Sequence, residues 1–126
     1  MTFGKRFFIS LILCTEIVFA AHCYKEADYQ RVWCQKHNGI LEYKNFDFTR
    51  VDCLTSCHAV EFDFAKKWAE SVGQALYYHI VTGKRAKVVL ILENPETEMK
   101  YYFRVKRLSE IYDFDVEYIT PAIFNH

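Results

Sequence analysis

Three stretches decide the reading of this chain: Arg50-Val51-Asp52-Cys53-Leu54, His58-Ala59-Val60-Glu61-Phe62-Asp63-Phe64 and Gly73-Gln74-Ala75-Leu76-Tyr77-Tyr78. The first two are short and apolar, as strands are, yet they carry three carboxylates. Apolar strands seldom bear so many acids unless something cationic sits against them. Side chains alternate along a strand, so Glu61 and Asp63 share one face while Val60, Phe62 and Phe64 take the other. Asp52 lies on the preceding strand, and pairing of the two would bring it beside Glu61. The third stretch belongs to a helix on which Lys67, Ser71, Gln74 and Tyr78 form one stripe, at spacings of 4, 3 and 4 residues.

A cluster of carboxylates suits Mg²⁺ or Mn²⁺, hard cations that take oxygen ligands and keep several waters. Asp52, Glu61 and Asp63 are the expected ligands. Such a metal activates a water and neutralises charge on a phosphoryl transition state. Lys67, Ser71, Gln74 and Tyr78 are placed to orient that water or to touch a phosphate. The bland alternative is a half-exposed strand face beside a solvated helix side.

Outward from this centre, periodicity sets the other elements. Residues 25–37 read as a helix with Tyr29, Val32 and Trp33 as its apolar side, stopped by Gly39. Ile40–Tyr43 and Phe48–Leu54 alternate as two strands joined near Asn45–Asp47. Ala59–Phe64 is a third strand. Phe64–Val81 is an amphipathic helix, with Ala65, Trp68, Ala69, Val72, Leu76 and Ile80 toward the core, ended by Gly83. Val88–Leu92 is a continuous apolar run, the mark of a strand buried on both faces. Glu96–Tyr112 is a second amphipathic helix, with Tyr101, Val105, Leu108 and Tyr112 on its stripe, and Val116–Thr120 a last strand. Strand–helix–strand units imply right-handed crossovers between parallel neighbours. The expected class is α/β, a three-layer sandwich with a mixed central sheet in αβββαβαβ order.

At these residues the chain resembles the PD-(D/E)xK nuclease superfamily. Asp52 looks like its first acid and Glu61 like its second, and Gln74 to Tyr78 fits the QxxxY motif of its exonuclease members. "VDCLT", "VEFDFAKKWAE" and "GQALYY" are similar to small exported bacterial proteins of unknown function that look like derivatives of this fold. The resemblance covers residues 25–93 and implies a restriction-endonuclease-like fold. It also implies a Mg²⁺- or Mn²⁺-dependent nuclease with Asp52, Glu61, Lys67, Gln74 and Tyr78 as site residues. The chain departs from the family where a lysine stands two residues after the second acid: it has Asp63. Lys67 or Lys66 would have to substitute. The other class that stays open is a catalytically inactive, disulfide-stabilised binding or interaction protein on the same fold.

Lys5 and Arg6, an apolar stretch Phe7–Val18 and the small-residue site Val18-Phe19-Ala20 read as a signal peptide over residues 1–20. It is too short for a stable membrane anchor. The expectation is a protein exported to the periplasm or secreted, with one domain at residues 21–126. Cleavage would leave fourteen Lys and Arg against fifteen Asp and Glu. That balance does not support strong nonspecific binding of nucleic acid; a protein partner is the other option. An even set of four cysteines in such a domain reads as two disulfides, expected as Cys34–Cys53 and Cys23–Cys57. A zinc site built from Cys34, His37, Cys53 and Cys57 or His58 competes, with a spacing that matches no standard ribbon or finger.

Overall fold

The computed structural model describes residues 21–125, so the signal peptide expected over residues 1–20 lies outside the described residues. The elements are α1 (Glu26–Lys36), β1 (Ile40–Lys44), β2 (Arg50–Leu54), β3 (His58–Phe64), α2 (Trp68–Thr82), β4 (Arg85–Ile91), α3 (Pro95–Tyr112) and β5 (Asp115–Ile119). A 3-10 turn, Ala65–Lys67, leads into α2, and another, Pro121–Phe124, follows β5. This is the αβββαβαβ order expected from periodicity.

The five strands form one sheet in the order β1-β2-β3-β4-β5. Short loops make β1, β2 and β3 antiparallel neighbours. The helices α2 and α3 supply the longer crossovers that parallel pairing requires, and β3–β4 and β4–β5 are parallel. The sheet is therefore mixed. Tyr29, Trp33 and Cys34 of α1 pack with Cys53, Val60, Phe62, Val89 and Ile91 on one face, joined by Ile123 and Phe124 of the last turn. Ala65, Ala75 and Val105 pack with Val88, Leu90 and Leu92 on the other. The run Val88–Leu92 thus sends alternate residues into two cores, and all five are fully buried. Three layers result: α1, the sheet, and α2 with α3.

Two helix faces differ from expectation. Ala69 and Ile80 of α2 are exposed, and Ser71 is fully buried instead. Ser71 tolerates burial because its hydroxyl donates to the Trp68 carbonyl at 2.8 Å. Tyr112 on α3 is also exposed, at the last turn before the left-handed Asp113.

The Cys34–Cys53 bond is present, with Cα atoms 5.9 Å apart, and ties α1 to β2. The expected Cys23–Cys57 bond is not: both thiols are exposed and neither is bonded to a cysteine among the described residues. They sit at opposite ends of β3. Cys57 immediately precedes the strand, while Cys23 follows His22, whose ring stacks on Phe64 at the strand's far end. Seven residues of strand separate those ends by roughly 20 Å, and a disulfide needs Cα atoms within about 7 Å. The zinc set is also removed, because Cys34 and Cys53 are consumed by their own bond.

Gly39 has a steric reason beyond stopping a helix. The left-handed turn falls on Asn38, at φ 53°. A Cβ on Gly39 would lie 2.3 Å from the Cys53 sulfur and 2.7 Å from that of Cys34. Only glycine lets the chain pass over this disulfide.

Candidate functional site: a carboxyl cleft at a break in the sheet

The backbone ladder between β2 and β3 holds for only two pairs, Cys53↔Val60 and Leu54↔Ala59. The same register sets Asp52 opposite Glu61, and there side chains replace backbone acceptors. The Asp52 N–H donates to Glu61 Oε1 at 3.2 Å, and the Phe62 N–H donates to Asp52 Oδ2 at 2.8 Å. On the other side of β2 the ladder skips the same level. Leu41 pairs with Cys53 and Tyr43 with Val51, while Glu42 between them is left-handed at φ 52°. Alternation also fails across Asp52: Val51 packs with Ala59 and Tyr78, whereas Cys53 joins the α1 core. The strand is kinked where its acid sits, and the two strands part to admit both carboxyls.

A cleft of about 260 Å³ opens there, lined by Glu26, Arg50, Asp52, Glu61, Phe62, Asp63, Lys67, Glu70, Gln74 and Tyr78. It lies below the 300–1,000 Å³ of most drug-sized ligand pockets and is of a size for an ion with its waters or a phosphate. All five site residues read from the sequence line it, as does Asp63. Ser71 does not. The cleft-facing stripe of α2 is continued by Glu70, so that Lys67, Glu70, Gln74 and Tyr78 follow one another at helical spacing. Lys66 points elsewhere, into a hollow shared with His22, Glu93 and Asn94.

Four lining residues lie outside the sequence reading of the site: Phe62, expected on the opposite face of β3, and three charged residues, Glu26, Arg50 and Glu70. Glu26 comes from the first turn of α1, where an acid has a sufficient local reason in the helix dipole. It reaches the cleft only because α1 is fastened across β2. Its carboxyl accepts from Gln30 Nε2 at 2.9 Å. Arg50 lies two residues before Asp52, and strand alternation would have found it. Glu70 was equally available from the spacing to Lys67 and Gln74.

Five carboxyls face two cations in this cleft, and burial acts on all the inner ones. Glu61 is 3 % exposed and Asp63 5 %. Burial, then the charge of Asp52, pushes the Glu61 carboxyl well above the usual carboxylate range. Burial also raises Asp52, against the Phe62 N–H that stabilises its charge. Asp63 is pushed up to about 7 by burial and then by Glu26, with Lys67 opposing. Glu26 is raised by burial and by Asp52, and Tyr78 by burial and by Glu61. For Glu26, Asp52, Glu61 and Asp63, burial and mutual repulsion thus favour the protonated form unless a cation compensates.

The donor set fits a hard divalent cation in kind, since every candidate ligand offers oxygen. One atom fits it in detail: Asp63 Oδ1 is buried with no hydrogen-bond partner among the described residues. Such an orphaned acceptor is uncommon in a folded protein and calls for a proton or a cation. Among the described residues no three His, Cys, Asp or Glu side chains converge as a ready metal cage. Asp52 and Glu61 are engaged with each other and with backbone N–H groups, so a cation would have to draw Asp63 or Glu26 toward that pair.

Comparison with protein-family models, with curated proteins and with solved structures finds no match to this chain.

Proposed function

We propose that this is an exported protein of PD-(D/E)xK-like, restriction-endonuclease-like fold whose cleft hydrolyses phosphodiester bonds with Mg²⁺ or Mn²⁺. The observation that carries this reading is the parting of β2 and β3 at Asp52 and Glu61, with the orphaned Asp63 oxygen in the same cleft. A bound divalent cation would supply Lewis-acid activation of water and neutralise phosphoryl charge. Asp52, Glu61 and Asp63 are its ligands in this reading. Lys67 supplies the ammonium that the family places two residues after the second acid. It enters from the start of α2 instead of from β3, and its charge already opposes the rise of Asp63. Gln74 and Tyr78 orient a water or a phosphate oxygen from the next two turns of the same stripe, and Arg50 meets phosphate at the rim. The Cys34–Cys53 disulfide supports an oxidising destination such as the periplasm or the medium. Among the described residues no helix is long and apolar enough to cross a membrane.

A second reading, a binding or interaction protein without catalysis, is favoured by Asp63 in the lysine's place and by the lack of a preformed cage among the described residues. One experiment separates the two. Mature protein is titrated with Mn²⁺ by calorimetry and then incubated with single- and double-stranded DNA and RNA. Binding near stoichiometry together with metal-dependent cleavage supports the nuclease. Absence of both leaves the binding protein.

A further inference from the structure

We propose that the loop joining β1 and β2 is a stacking platform for unpaired bases of single-stranded nucleic acid; the proposal rests on the nuclease reading and names its substrate class. Phe46 and Phe48 in this loop are 84 % and 76 % exposed. Tyr43 on β1, which shares a hollow with Phe46, and Tyr77 on α2 are exposed as well. Tight loops are usually built from Gly, Asn, Asp, Ser and Pro. Two phenylalanines in water contribute nothing to the core.

The rings stand on a braced support. The Asn45 N–H donates to the Thr49 carbonyl at 2.8 Å, and the Phe48 N–H to the Asn45 carbonyl at 3.0 Å. The buried Asn45 side chain donates to Thr49 Oγ1 at 3.1 Å, and the Thr49 N–H to Asp47 Oδ1 at 3.1 Å. The Tyr77 hydroxyl donates to the other Asp47 oxygen and fastens the loop to α2. Phe48 itself is held at φ 71°, a left-handed conformation rare for a bulky side chain.

Phe46 lines a separate hollow with Tyr43, Leu54 and Val81, and the loop adjoins the cleft through Tyr77 and Arg50. The ring of Tyr77 lies 5.8 Å from that of Tyr78, which lines the cleft, and Arg50 lines it two residues after Phe48. Two cations flank the loop, Lys44 at the end of β1 and Arg50 at the start of β2. Lys44 Nζ lies 4.8 Å from the centre of the Phe48 ring, and neither Lys44 nor Arg50 has a carboxylate within ion-pair distance among the described residues. Aromatic faces beside unpaired cations are what sequence-tolerant single-strand binding uses: bases stack and phosphates meet Lys or Arg. A duplex keeps its bases stacked on one another and offers no free face.

The test is fluorescence anisotropy of the mature protein with labelled dT20, U20 and a 20-bp duplex in EDTA. Phe46→Ala and Phe48→Ala are compared with wild type, and circular dichroism checks the fold. Wild type is expected to prefer the single strands, and each variant to bind them about 5- to 100-fold more weakly. Equal binding of duplex and single strand, no binding of either, or variants that bind like wild type overturns the platform. So does Phe46-dependent sedimentation with phosphatidylglycerol vesicles in place of single-strand binding, which would assign the loop to a membrane. Cleavage with Mn²⁺ is read separately. A wild type that binds single strands and cuts nothing retains the platform and ends the nuclease reading. One that cuts all substrates alike, with variants unaffected, does the reverse.

Discussion

Asp52 and Glu61 each take up a backbone N–H as well as facing the cleft, so their conservative amides test charge without removing the acceptor. On the proposed nuclease reading, Asp52→Asn and Glu61→Gln should fold, keep a cooperative melt and reduce metal-dependent cleavage to background, as read by release of acid-soluble nucleotides. Lys67→Ala should slow cleavage well beyond Lys66→Ala, since only Lys67 reaches the cleft. Asp63→Lys replaces a proposed metal ligand with a cation beside Glu26 and Glu70, so on the proposed reading weaker Mn²⁺ binding and less cleavage are the expected outcome. The protons in the cleft also set a pH dependence. A folded-state pKa of about 7 for Asp63, against an ordinary 3.8, means that the folded carboxyl keeps its proton where the unfolded one has lost it. Stability from that source is whole below pH 3.8 and is lost as pH rises through 7. The lowered acids Asp47, Glu93 and Asp115 act with the opposite sign, but below their ordinary values of 3.8 to 4.5. Melts in EDTA should therefore fall from pH 5 to pH 8 by on the order of 1 kcal/mol, about 4–8 °C. Added Mn²⁺ should raise the melting temperature most at pH 8, and Asp63→Asn should flatten the slope. A melting temperature that climbs over this range would remove the buried protons.

Among the elements, α1 depends most on a single bond. Closing the loop between Cys34 and Cys53, 19 residues apart, contributes about 3 kcal/mol by the chain-entropy argument. Gly39 belongs to the same unit. Gly39→Ala should cost about 1–3 kcal/mol in wild type, because its Cβ meets both sulfurs. In a Cys34→Ala/Cys53→Ala background it should cost far less, and a double-mutant cycle on urea midpoints measures the difference. Nonreduced digests should show the Cys34–Cys53 peptide, and Cys23 and Cys57 should both react with Ellman's reagent in the native protein. Every helix and strand was legible in its periodicity, to within a few residues at the ends. The two-sided burial of β4 was legible in Val88–Leu92. The core face of α2 was not fully so, because Ser71 is polar by type and buried by a bond to its own helix. The second disulfide was misread because counting cysteines carries no distance, and β3 stands between the two thiols.

For the molecule as a whole, a mixed sheet with parallel neighbours at the helical crossovers was legible from the element order, while the order of its strands was not. What the sequence could not reveal is how α1 lies over the sheet. Glu26 was invisible as a cleft residue for that reason, while Asp52, Glu61, Asp63, Lys67, Gln74 and Tyr78 were legible from spacing within neighbouring elements. The kink at the level of Asp52 has one more consequence. All five residues of β1 are exposed, and Ile40, Leu41 and Tyr43 give this outermost strand an apolar character. Flat, apolar outer strands invite another chain to zip onto them and so to aggregate. At its midpoint β1 bears a charged residue at φ 52°, which breaks the row of amides that an incoming strand would need. The same irregularity that parts the inner strands around the acids thus guards the outer one, and straightening it would trade solubility for regularity.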